Sequence, residues 1–463
     1  MARRCCRLRN ILICVCTPCV CLALLTIYIA VMVNLNMLHG TIVLDSRQGH
    51  HFVAHGTLKN ANFASFPKTF WKHHLDGNAL WNELQRAIDY SFNPILRPGQ
   101  TKARSTRSNY EESLLRQSFS EVTSMDEMRK IFENFPAQIK EFVGYMQRRN
   151  YPILIQPDGV CGTVSKDEKE SPLILLAIKT TEYNFKNRQA IRQTWGQVGW
   201  LVGHKDNRSS EEVVGGYVHR VFLLGKEDNG ELSVDVSDLL KAESSHYGDI
   251  LQWDFKDTFF NLTLKDVLFW SWLSNHCDHT HFVFKGDDDV FVNTPKLVTY
   301  LQDQLKKLRA NNSLKDFMVG EVIQSGQPNR RKSSKYFLPE TFYKGLYPLY
   351  AGGGGLVYSG LLAKRLHTVS KTVHLFPIDD VYVGMCMIRL NAAPVHNHAF
   401  LTFDFPEKEG EDLCSYHTIL MVHKRSPEQI TSLWADMHRT QKQCQAVPLR
   451  SVDKDSSSDK PTT

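Results

Sequence analysis

The chain has 463 residues, about three times the usual length of a single domain. With 42% apolar and 22% charged residues it is neither wholly disordered, nor collagen-like, nor a multi-span membrane chain. Arg3, Arg4, Arg7 and Arg9 supply four of the net +6, which leaves +2 for everything after residue 10 and gives no footprint for nucleic acid.

Residues 1–10 read as a basic cytosolic tail. The uncharged run 11–33 that follows is long enough, at about 1.5 Å per residue, to cross a bilayer of roughly 30 Å. A cleaved signal peptide would have a shorter apolar region and a small-residue cleavage site, so the run reads as an uncleaved transmembrane anchor. Positive charge stays cytosolic, which gives single-pass type II topology with the rest of the chain lumenal or extracellular. Cys5, Cys6, Cys14, Cys16, Cys19 and Cys21 lie in or beside the span; Cys161, Cys277, Cys386, Cys414 and Cys444 lie beyond it. An oxidising lumen then predicts one or two disulfides, and the spacing of these five makes no metal-type pair. Sequons at Asn207, Asn261 and Asn311 all fall on the lumenal side and are candidate glycosylation sites.

Residues 34–150 show only short amphipathic pieces and read as a stem. At Tyr151 the texture changes. Runs 172–178, 218–224 and 281–284 read as strands, while 232–246 and 262–275 read as helices, the latter with Leu264, Val267, Leu268 and Trp272 at helical spacing. Strands alternating with helices predict an α/β domain over 151–450 with a mostly parallel central sheet covered on both faces, and ligands at the carboxyl ends of its strands. The tail 451–463 is too polar to bury a core and is expected to be disordered.

Chemistry concentrates in a few segments. The string 284–293 (FKGDDDVFVN) puts Asp287, Asp288 and Asp289 at a strand end beside a glycine. Adjacent anions repel, and a divalent cation with a phosphate is the economical remedy, since hard oxygen ligands suit Mg²⁺ or Mn²⁺. A solvated acidic turn is the plainer alternative. Arg188 and Arg192 sit four apart on one helical face, suited to gripping an anion, with an exposed basic turn as the alternative. Four glycines, Gly352 to Gly355, precede what reads as a helix from Leu356; they suggest close backbone approach to a ligand, or a hinge. Neither a P-loop nor a dinucleotide fingerprint is present. In 376–384 (FPIDDVYVG), Asp379 reads as a helix cap, and Asp380 as a cap or a general base.

In this order the segments resemble the inverting β-1,3-glycosyltransferases of the Golgi, and among them the β-1,3-N-acetylglucosaminyltransferases of the poly-N-acetyllactosamine synthase type. The resemblance covers roughly residues 151–444. It is carried by RQAIRQTWG (188–196), DTFFNLTLK (257–265), FVFKGDDDVFVNT (282–294), YAGGGGLVYSG (350–360), PIDDVYVGMC (377–386), and CSY with MVHKR (414–425), together with a stem string at 70–96. It implies a GT-A-type nucleotide-sugar-binding fold and a Golgi membrane location. The implied reaction is transfer of N-acetylglucosamine from UDP-GlcNAc to the 3-hydroxyl of a terminal β-galactose in a glycan. The same resemblance assigns Asp289 and His423 to a Mn²⁺ or Mg²⁺ ion. Lys179, Arg188, Arg192, Lys265, Asp287 and Asp288 go to the donor, Tyr350, Gly353 and Gly354 to the acceptor, and Asp380 to proton abstraction. Glu321 and the basic insertion 330–335 depart from the family pattern. A β-1,3-galactosyltransferase and a silent sugar-binding relative are the competing readings, and association with itself or with other glycosyltransferases is left open.

Overall fold

The computed structural model describes residues 79–92, 130, 132–158, 171–203, 215–227 and 235–451. The expected span 11–33, Asn207, Cys161, most of the stem and the tail beyond residue 451 lie outside them. No helix among the described residues is long and apolar enough to cross a membrane.

The strands are β1 (Ile153–Ile155), β2 (Ile174–Lys179), β3 (Gly199–Val202), β4 (Gly215–Lys226), β5 (Ile250–Lys256), β6 (Phe282–Asp287), β7 (Phe291–Val292), β8 (Met318–Gly320), β9 (Val322–Ile323), β10 (Tyr350–Ala351), β11 (Gly355–Ser359), β12 (Val395–His396), β13 (Phe400–Leu401) and β14 (Met421–Val422). Helices are α1 (Leu80–Phe92), α2 (Ala137–Tyr145), α3 (Phe185–Gln193), α4 (Ser237–Tyr247), α5 (Leu262–His276), α6 (Thr294–Ala310), α7 (Gly360–Ser370), α8 (Asp379–Arg389) and α9 (Pro427–Thr440).

The main sheet runs β1-β5-β4-β2-β6-β11-β8-β12, with β3 beside β4. Its middle, β5-β4-β2-β6, is parallel. The sheet is nevertheless mixed and not mostly parallel, because β1, β3 and β11 enter antiparallel, β11 against both β6 and β8. The β11 pairing also corrects the helix expected from Leu356. Leu356, Val357 and Tyr358 are large side chains buried between two neighbouring strands, and the helix begins only at Gly360, where Ser359 caps it by accepting from the Leu362 amide.

Every residue of β2 (ILLAIK) is buried because both faces are covered. Alternate side chains serve different cores: Leu175 and Ala177 join α1, α2, α5, α7 and α8, whereas Ile174, Leu176 and Ile178 join Trp195, α6 and α9. Two helices from the segment read as stem thus contribute to the domain core. Trp81 of α1 packs edge-on against Tyr343 and Phe376 at 5.6 and 5.5 Å and donates its indole N–H to Leu375 O at 3.0 Å. Asp89, one face away on the same helix, makes a buried two-point pair with Arg389 at the end of α8.

Cys414 and Cys444 form a disulfide, and Cys277 is also disulfide-bonded. Cys386 is a buried free thiol, its pKa pushed up to about 12 by burial.

Candidate active site

Parallel registry brings the carboxyl ends of β2 and β6 level, with Lys179 opposite Asp287. At that edge opens a cleft of about 290 Å³, walled by the acidic turn, the glycine loop, the start of α8 and His423. This is the place a doubly covered sheet offers a ligand.

The acidic turn divides its three carboxylates between two tasks. Asp288 is nearly buried and turns toward the β2–α3 loop, where Thr180 donates its hydroxyl and Asn184 its amide at 2.8 Å. Burial pushes its pKa up to about 6 against these bonds. Asp287 and Asp289 instead face His423: its Nε2 lies 3.2 Å from Asp289 Oδ1 and 3.8 Å from Asp287 Oδ2. The three residues offer ligand atoms all within 4.8 Å of one another. His423 Nδ1 stands 3.1 Å from Thr402 O, and an N–H donated there leaves Nε2 as the ligating nitrogen. Two carboxylates and an imidazole, each partly open to solvent, could hold Mn²⁺ or Mg²⁺ and leave positions for further oxygens. Asp287 therefore sits with the metal-type pair expected from Asp289 and His423, and not apart from it.

His423 is held from behind. The Arg425 amide donates to Asp289 O at 2.7 Å, and its guanidinium donates to the carbonyls of His423 and Lys424 at 3.0 and 3.1 Å while pairing with Asp404. Lys424 between them takes a left-handed φ of 63°, a conformation that costs free energy for a side-chain-bearing residue and that this clamp over-determines. Glu321 does similar work on the other side: its carboxylate accepts from the Thr402 amide at 2.6 Å and its carbonyl from the Gly352 amide at 2.7 Å.

The glycine loop crosses between the two acidic clusters. Gly354 O accepts from the Asp287 amide at 3.0 Å. A methyl on Gly354, already at φ +96°, would lie 2.8 Å from the His423 ring, and one on Gly353 would lie 2.6 Å from Asp380 Oδ2. Backbone is all that fits at both points.

At the start of α8 a buried charge ladder is built on Asp266. Lys179 pairs with Asp266 and Asp379 at 3.0 and 2.5 Å, and Lys285 with the same two at 2.9 and 3.2 Å. Asp379 is thus not a helix cap: Ile378 occupies that position, no side chain caps the helix, and the Asp379 carboxyl is held far below its usual range by the two ammonium groups, which outweigh its burial. Asp380 has only a long contact, 3.4 Å, to Lys285. Burial and the neighbouring Asp379 charge raise its pKa to about 7. Lys285 and Asp266 were not singled out from the sequence. Their signal was a lysine inside an otherwise apolar strand and an aspartate on a helix whose neighbours are all apolar or buried.

Other expected residues fall differently. Lys265 borders the cleft, but its ammonium is bound to Asp257 at 2.8 Å and Thr180 O at 2.6 Å, so it braces the loop that holds Asp288. Arg188 and Arg192 do not reach the cleft. Arg188 forks onto Glu243, and Arg192 onto Glu243 and Asp249, all buried beneath α4; the shared helical face grips protein carboxylates. Tyr350 stands edge-on to Tyr347 in β10 behind the glycine loop, its hydroxyl pushed up to about 12 by burial and by Asp380. Asn261 is buried and donates its amide to Lys256 O at 2.8 Å, so the folded domain has no room for a glycan there, whereas Asn311 at the end of α6 is exposed.

Residues 186–398, which include the acidic turn, the glycine loop and α8, match the family described as Galactosyltransferase. The chain is 42% identical over 382 residues to the human protein named N-acetyllactosaminide beta-1,3-N-acetylglucosaminyltransferase 2, covering 81% of this chain and 88% of that one. It is 38% identical over 319 residues to human N-acetyllactosaminide beta-1,3-N-acetylglucosaminyltransferase 4, across 68% and 76% of the two chains. To rat UDP-GlcNAc:betaGal beta-1,3-N-acetylglucosaminyltransferase 7 it is 37% identical over 313 residues, across 66% and 73%. Likeness of this depth over most of each relative's length makes the chain a member of the galactosyltransferase family, alongside its β-1,3-N-acetylglucosaminyltransferases.

Proposed function

We propose that this protein transfers N-acetylglucosamine from UDP-GlcNAc to the 3-hydroxyl of a terminal β-galactose on a lactosamine-type glycan, inverting the anomeric centre. Asp380 carries the reading. It is a cleft carboxylate without a close cationic partner, beside an Asp379 that two lysines neutralise, and it lies across the glycine loop from Asp287, Asp289 and His423. A single displacement needs one base, and a carboxylate with a pKa near the working pH suits that task. In this reading Asp380 takes the proton of the acceptor hydroxyl as its oxygen bonds to C1 of the sugar and the C1–O bond to UDP breaks. Lys179 and Lys285 keep Asp379 ionised, and that fixed charge holds up the proton affinity of Asp380. Asp287, Asp289 and His423 would hold Mn²⁺ or Mg²⁺, which supplies Lewis-acid stabilisation of the charge on the departing diphosphate. The backbone of Gly353 and Gly354 keeps the two clusters close enough to share one substrate.

The relatives' names support the donor and acceptor, and residues 11–33 support anchorage as a type II protein of the Golgi membrane. The test supplies the full-length protein with UDP-GlcNAc or UDP-galactose, a lactosamine acceptor and Mn²⁺, and determines the linkage of the product. A β-1,3-linked GlcNAc product is expected. Preferential use of UDP-galactose would replace the donor assignment.

A further inference from the structure

A second cavity, of about 170 Å³, adjoins the cleft and shares Phe259 and Lys335 with it. Its remaining wall comes from α2 and from the turn before α5, with Gln138, Phe142 and Thr258 among its residues. The shared boundary is a formed surface. Phe259 and Tyr336 meet edge-on at 5.0 Å, and the Lys335 ammonium sits 4.9 Å from one ring centroid and 5.0 Å from the other. Such a cation and ring pair presents an apolar face with a hydrogen-bond donor at its edge.

Position in the cleft says which substrate would reach it. The candidate metal ligands gather around Gly354, so the diphosphate belongs there, whereas Asp380 lies against Gly353. The acceptor must approach Asp380 from the side away from the diphosphate, and Phe259, Lys335 and Tyr336 line the same cleft. A chain of sugars whose terminal residue sits at Asp380 has to leave past them.

Resting on the acceptor reading above, we infer that this second cavity is a subsite for a further sugar residue of an extended acceptor glycan. A pyranose has one face of C–H bonds and a rim of hydroxyls. The first packs on an aromatic ring; the second is met by the donors and acceptors of Lys335, Thr258 and Gln138. The subsite makes the enzyme favour long acceptors over short ones without touching the reacting atoms.

The experiment compares wild type with Gln138→Trp, a change at an exposed position that fills the cavity. Steady-state kinetics are measured with a lactosamine disaccharide and with the tetrasaccharide made of two such units. Wild type is expected to show a KM for the tetrasaccharide roughly three- to tenfold below that for the disaccharide, the scale of one aromatic contact. Gln138→Trp should erase that difference, leaving the disaccharide KM and the affinity for UDP with Mn²⁺ unchanged. Absence of a length preference in wild type, or its survival in the variant, overturns the subsite. Weakened UDP binding in the variant overturns it too, by giving the cavity to the nucleotide. Failure to use either acceptor with UDP-GlcNAc is a different result, which removes the parent reading of donor and acceptor and this subsite with it.

Discussion

At the residue scale, Asp379 and Asp380 are neighbours with opposite proton affinities, one held down by two lysines and the other pushed up to about 7 by burial and by its neighbour's charge. For Asp380 the folded value exceeds the unfolded one, about 4. The folded state therefore binds the proton more tightly, and the group costs stability progressively as pH rises from about 4 through 7. Asp380→Asn removes that cost. The variant should melt higher than wild type at pH 8 and by a smaller margin at pH 5, in thermal unfolding without nucleotide. A margin independent of pH would contradict the burial argument. Wild-type transfer should fall on the acid side as pH drops through about 7 and the base is protonated. Gly353→Ala would push its methyl onto Asp380 Oδ2. A displacement on the order of 1 Å at the base costs about 100-fold in kcat, with UDP affinity kept; near-normal kcat would show that the carboxylate has room to move. Sequence alone identified Asp380 but read Asp379 as a cap, because the lysines that engage it lie 200 and 94 residues away. A helix-start aspartate looks the same locally in either role.

At the element scale, α1 is the least expected part of the catalytic domain. Its string lies in a stretch without sustained core pattern, and its burial follows from what it packs against, the 341–344 segment and the end of α7, which are distant in sequence. The Asp89 pair with Arg389 fastens it to the far end of α8, whose first turn carries Asp379 and Asp380. Asp89→Ala leaves a buried guanidinium without its counter-ion and should cost about 3–5 kcal/mol, whereas Asp89→Asn keeps an acceptor and should cost less. Thermal unfolding of both variants checks this, and equal melting temperatures to wild type would mean that the pair is dispensable. The glycine run misled for the opposite reason. Four glycines followed by an apolar run fit a loop into a helix as well as a loop into a buried strand, and only pairing with β6 and β8 decides between them.

At the scale of the whole molecule, the parallel half of the sheet was legible because its strands are continuous apolar runs, while the antiparallel half was not, since β8, β10 and β12 are too short to carry a periodic signal. The site straddles the two halves. Asp287 and Asp289 follow the parallel strand β6, His423 follows β14 of a separate small sheet, and Asp380 opens a helix beyond β11. Assembly of a metal-type cluster from two sheets explains why spacing could not reveal it. Asp289→Ala should abolish transfer with the fold retained, and excess Mn²⁺ should not restore it fully, since Asp287 and His423 alone offer too few ligands. Full activity of the variant, or of wild type after EDTA, would contradict the metal assignment.

The central claim is that Asp380 is the base for an inverting transfer, and its most direct measurement is kcat of Asp380→Asn with UDP-GlcNAc, a lactosamine acceptor and Mn²⁺, alongside the affinity for UDP. Asparagine keeps the size of the side chain but cannot accept the acceptor's proton at useful rates. The account predicts a loss of kcat of roughly 10²–10⁴-fold, with UDP affinity near that of wild type. Retention of more than about a tenth of wild-type kcat, outside that range, would contradict it and move the search for the base to Asp379.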